Sequence, residues 1–153
     1  MSFFNDFANA VESYPADSVT LTITDIAVES GTGGSVNVNE VWKFKVQVEN
    51  NGHLNMTDVA LHVSGLDGTT IGTKPAGSFL PEQIVGSLKV NGGGGSRKSD
   101  FLYFKAPSIQ KPAGTNLFEV HISDWSGNID HMFTNHTNHS TLPTKSYPVQ
   151  VFP

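Results

Sequence analysis

Hydrophobic and polar positions change period once along this chain. Phe3, Phe7, Ala10, Val11 and Tyr14 recur at helical spacing, with Phe4 beside them, while Asn5, Asp6, Asn9, Glu12 and Ser13 take the opposite side. Ser2 suits an N-cap, Asp6 suits the positive end of a helix dipole, and Pro15 disfavours helical geometry at Tyr14. The pattern predicts a short amphipathic helix over residues 3–13. A helix of that length needs a docking surface to persist, so its aromatic stripe is expected either to plug one end of its own fold or to meet another protein.

From residue 18 the period is two. Val19, Leu21 and Ile23 alternate with threonines, and Ile26 and Val28 continue the strand after a register adjustment near Asp25. Trp42, Phe44, Val46 and Val48 alternate with Lys43, Lys45, Gln47 and Glu49, and Asn50-Asn51-Gly52 turns the chain. Val59, Leu61 and Val63 form the next strand, closed at Gly65-Leu66-Asp67-Gly68. Further strands are expected at 69–72, 84–90, 101–106 and 117–125, with a tight turn at Ser126-Gly127-Asn128 and a hairpin return over 129–133. The polar stretch 134–145 reads as an exposed loop and residues 147–152 as a proline-bounded edge strand.

About seven to nine short strands without helix–strand alternation predict an all-β fold, an antiparallel two-sheet immunoglobulin-like sandwich. The expected organisation is a helical extension over 1–15 and one sandwich domain over 16–153. A length of 153 residues fits one domain with a sizeable core.

The segment from Val41 to Gly65, Val-Trp-Lys-Phe-Lys-Val-Gln-Val-Glu-Asn-Asn-Gly followed by Val-Ala-Leu-His-Val-Ser-Gly, resembles bacterial and archaeal immunoglobulin-like modules of the cell-adhesion-related CARDB type. Those modules carry an alternating strand, an Asn-Gly turn and a second alternating strand in the same order. The resemblance implies the sandwich and an adhesive, extracellular setting. Here the chain departs from it, because those modules are shorter, come in tandem and lack an aromatic helix at the front.

Charge and composition narrow the function classes. Nine basic against fourteen acidic residues give a net charge of -5, and Arg97-Lys98 is the sole adjacent basic pair, so no nucleic-acid partner is expected. No run reaches the roughly 18 apolar residues of a membrane span. The absence of cysteine excludes disulfides, thiolate metal sites and a cysteine nucleophile. Charged residues make up only 15% of the chain, with Ser, Thr, Asn and Gly in their place. The N-terminus has neither a basic region nor a long apolar core, so a native Met1 predicts a cytoplasmic start, and an excised fragment a secreted or cell-surface source. Gly92-Gly93-Gly94-Gly95-Ser96 reads as a hairpin loop whose composition is also that of a flexible linker.

Candidate chemistry gathers at two places. Asp124, Trp125, Asn128 and Asp130 surround the expected 126–128 turn. They suit oxygen ligation of calcium, or a sugar stacked on Trp125 with hydroxyls bonded to the acids and amide. His131, His136 and His139 are three of the six histidines and suit a transition metal, though their spacing matches no helical zinc motif. No Gly-x-Ser-x-Gly elbow or P-loop is present. The expectation is therefore a non-enzymatic interaction protein without a cofactor. It would contact a partner, or a second copy as a homo-oligomer, through Phe3, Phe4, Phe7 and Val11. A carbohydrate-binding domain at Trp125 and a metal-dependent enzyme on the 131–139 segment are the alternatives.

Overall fold

The alternation over residues 42–48 places Trp42, Phe44, Val46 and Val48 on one buried face of a ten-residue strand, with lysines and glutamate on the other. The computed structural model describes residues 3–31, 33–129, 134–138 and 143–153. In chain order the elements are helix α1 (Phe3–Glu12), a 3-10 turn (Ala16–Ser18), and strands β1 (Val19–Ser30), β2 (Val36–Asn37), β3 (Val41–Asn50), β4 (Asn55–Gly65), β5 (Thr70–Gly72), β6 (Glu82–Val90), β7 (Gly95–Lys98), β8 (Leu102–Lys105), β9 (Lys111–Ile129), β10 (Thr134–Asn138) and β11 (Thr144–Phe152). Among the described residues no helix is long and apolar enough to cross a membrane.

The strands form two facing sheets. One runs β1-β3-β8-β5, with β7 also on β3; the other runs β2-β11-β9-β4-β6, with β10 also on β9. Among the described residues all strand pairings are antiparallel except the two-residue match of β2 with β11. The fold is an all-β, two-sheet sandwich with one short α-helix among the described residues.

Aromatic rings tie the sheets together. Phe118 of β9 stacks on Phe44 of β3 at 4.4 Å between centroids and lies 5.2 Å from Phe104 of β8 and 5.3 Å from Tyr147 of β11. Where the alternation changes phase, an aspartate takes up the extra residue. Asp25 in β1 (φ 55°) and Asp58 in β4 (φ 51°) adopt left-handed backbone, and the pairing registers shift between Thr24 and Ala27 and between Met56 and Val59.

Three expectations are corrected. Ser126-Gly127-Asn128 is not a turn, because β9 runs through it to Ile129, with Gly127 opposite Met56 on one side and His136 on the other. The glycine serves packing instead: a side-chain carbon there would collide with Val11 Cγ2 of α1. Residues 134–138 of the expected loop form β10, and the last strand begins at Thr144 rather than 147. The expected return over 129–133 lies mostly outside the described residues.

Helix α1 docks on this chain's own sandwich. Phe7 (5% exposed), Val11 (0%) and Tyr14 (5%) belong to the same core as both sheets. Beyond the helix, Tyr14 seats its hydroxyl on the buried Asn50 Oδ1 and packs on Trp125 at 5.1 Å between centroids. The Asn50 amide donates to the carbonyls of Leu54 (2.7 Å) and Val90 (3.1 Å), and Gly52 N–H donates to its Oδ1 at 3.2 Å. One buried amide thereby satisfies main chain from two segments, the β3–β4 connection and the end of β6, beneath Tyr14.

Candidate functional site

The lateral side of the sandwich is open between β6 and the β7–β8 stretch. β6 ends its sheet, and among the described residues no strand pairs with its far edge. Across the gap, β7 pairs with β3 over Gln47–Asn50 and β8 pairs with it over Val41–Phe44. The chain between them leaves the ladder at residues 99–101. Buried Ser99 holds that departure in place: its N–H donates to the Val46 carbonyl at 2.8 Å, and its hydroxyl accepts from Val46 N–H at 3.0 Å and donates to the Asp100 carbonyl at 2.8 Å.

The resulting cleft has a volume of about 500 Å³. Leu61 and Leu102 are its buried apolar lining, Val85 and Leu88 are half-buried, and Ser87, Arg97, Lys98 and Asp100 are exposed around it. Leu61 pairs with Val85 and Val59 with Leu88, so β6 carries one extra residue at Gly86-Ser87, and both of these line the cleft. Such bulges re-aim a strand's groups beside binding sites.

Positive charge collects beside this cleft. Lys43 and Lys45 each place Nζ 4.7 Å from the centroid of Phe101, a cleft-lining ring. Lys98 reaches Asp25 at 3.0 Å, and that hydrogen bond is the main reason the Asp25 carboxyl titrates below its ordinary range. Lys43 lies 3.8 Å from Glu29. Lys43 and Lys45 flank the Phe101 ring and Arg97 and Lys98 line the same cleft with Asp100, so four of the nine basic residues of a chain of net charge -5 stand at or beside it.

The residues singled out from sequence fall elsewhere. Phe7 and Val11 are core rather than an offered surface, because the helix has its own sandwich to cover; the side chains of Phe3 and Phe4 lie outside the described residues. Trp125 is 0% exposed and packs under Tyr14, so its ring offers no face to a sugar. Its indole N–H and the Thr69 hydroxyl are buried without a partner among the described residues. Asp124 is half-buried on β9, while Asp130, and the side chain of Asn128, lie outside the described residues. So do His131 and His139; His136 is placed on β10 by its backbone alone. Among the described residues no three His, Cys, Asp or Glu side chains are arranged to hold a metal ion.

The cleft was not visible in the sequence as a site. Arg97-Lys98 stands out as a basic pair, but nothing in the chain's pattern shows that β6 lies across from it. No protein-family model matches this sequence, the CARDB type included, and no curated protein matches it. Among solved structures, the ASH/PapD-like domain of human CEP192 (PapD-like domain 7) is similar at a TM-score of 0.33 and 13% identity, over 92% of this chain and 88% of that one.

Proposed function

We propose that this chain is a non-enzymatic protein-interaction module that takes an extended, acidic segment of a partner protein into the cleft between β6 and β7–β8. The observation that carries the reading is the unpaired edge of β6 opening onto an apolar-floored cleft with Arg97 and Lys98 at its mouth. An extended segment satisfies main-chain groups along a free strand edge, and alternate side chains then find pockets. Leu61, Leu102, Val85 and Leu88 supply the apolar pocket, and the cations around Phe101 favour carboxylates over amines. Two polar groups of the cleft are engaged in the structure itself: the Ser99 hydroxyl serves the β3 ladder and Lys98 is paired with Asp25.

The test is selection of extended peptides from a random displayed library, followed by mapping of amide shifts on the full chain. The expected result is enrichment of acidic sequences that shift amides of β6 and residues 97–102 and lose binding in Arg97→Glu and in Ser87→Trp, which fills the cleft. Selected peptides that shift only other regions, or that bind both variants unchanged, would overturn the reading.

A further inference from the structure

The outer face of the second sheet carries a pair of histidines that neither the core nor the cleft uses. His62 of β4 and His121 of β9 are direct cross-strand partners, so their side chains leave the same face of the sheet side by side. Their ring centroids are 4.8 Å apart at an interplanar angle of 62°. Glu82, the first residue of β6, lies with Oε2 2.9 Å from His62 Nε2.

We infer that His62 and His121 form a two-imidazole site for a divalent late transition-metal ion, with Glu82 orienting His62 and water completing the coordination. This is independent of the cleft and of any partner bound there. Where each ring turns a nitrogen toward a shared ion about 2.0 Å away, the ion lies about 3.1 Å from each centroid, and rings 4.8 Å apart then give a nitrogen–metal–nitrogen angle near 100°. That angle lies between the adjacent-ligand angles of square and tetrahedral coordination, as a chelating pair requires. A carboxylate on one imidazole nitrogen fixes the proton there and leaves the lone pair on the other, the arrangement that accompanies metal-bound histidines. Two nitrogen donors with open positions bind Cu²⁺ most tightly in the divalent series.

The experiment titrates Cu²⁺ into the untagged full chain near neutral pH and follows the imidazole proton resonances, which the paramagnetic ion broadens only within its immediate surroundings. The expected result is that His62 and His121 broaden together at the lowest copper additions. His121→Asn and His62→Asn should each weaken binding by about ten-fold or more, and Glu82→Gln by several-fold. These three positions lie on an outer sheet face, and the wild-type resonances decide the matter should a variant misfold. Broadening that begins at other histidines and leaves His62 and His121 sharp, or unchanged affinity in both Asn variants, would overturn the inference.

Discussion

Val11 of the helix rests against Gly127 of β9 so closely that position 127 cannot carry a side chain without displacing it. This contact makes α1 part of the sandwich core. Gly127→Ala is therefore expected to destabilise the protein by about 1–3 kcal/mol, the usual cost of forcing a carbon into a filled core. Combining it with Val11→Ala should recover part of that loss, because the second change removes the atoms that clash. Chemical denaturation of the two single variants and the double variant measures the coupling. Strict additivity would show that helix and strand do not meet in this way.

The fold was more legible than the site, for reasons specific residues make plain. The strict alternation of Trp42 to Glu49 can only be a half-buried strand, and the phase change near Asp25 appears in the structure as a left-handed residue and a register shift. Ser126-Gly127-Asn128 misled because glycine serves turns and close packing equally, and which applies depends on a helix more than a hundred residues away. Trp125 drew attention as a ligand platform for the same reason: with the turn removed, its neighbour is Tyr14 rather than solvent. His62 and His121 each alternate outward in their own strands, but that they stand opposite one another is a property of register, which local pattern does not encode. The cleft likewise arises where two strand edges face one another, far apart in any local reading.

The Tyr14–Asn50 bond predicts an asymmetric pair of variants. Tyr14→Phe removes one of the partners of Asn50 Oδ1 and leaves the Gly52 N–H in place, so it should cost about 1 kcal/mol. Asn50→Ala takes this partner from the Val90 carbonyl, the Gly52 N–H and the Tyr14 hydroxyl, leaves the Leu54 carbonyl only the Tyr14 hydroxyl at 3.4 Å, and should cost about 3 kcal/mol. Burial raises the Tyr14 hydroxyl above its ordinary value of 10.0. Its contribution to stability is thus fully present below that value and declines as pH rises beyond it, a decline that Tyr14→Phe should make shallower. Equal losses in the two variants would show that Asn50 is not the centre of the network.

Phe118 is the ring through which the two sheets share one core, since it contacts Phe44 and Phe104 on one side and Tyr147 beside it. Phe118→Ala should cost about 3–5 kcal/mol, and Phe118→Leu, which keeps most of the volume, markedly less. Thermal unfolding of the two variants gives the comparison. Similar midpoints would mean that ring contacts rather than filled volume hold the sheets together.

His121 sets an acid-side dependence whose sign follows from its surroundings. Burial first, and His62 second, hold its folded pKa below the ordinary value of 6.5, while Glu119 pulls the other way. Above that value the imidazole is neutral in folded and unfolded chains alike, and stability is unaffected. As pH falls through 6.5 the unfolded chain takes up the proton first, so stability declines until the folded chain is protonated too. The side chain is half-buried and a single imidazole is involved, which makes the slope shallow. Urea unfolding of wild type and His121→Gln in the presence of a chelator, between about pH 8 and about pH 5, should give curves that diverge only on the acid side, with the wild type losing more. Divergence on the alkaline side, or a wild type that gains stability as it is acidified relative to the variant, would place His121 next to a dominant negative charge instead of a second imidazole.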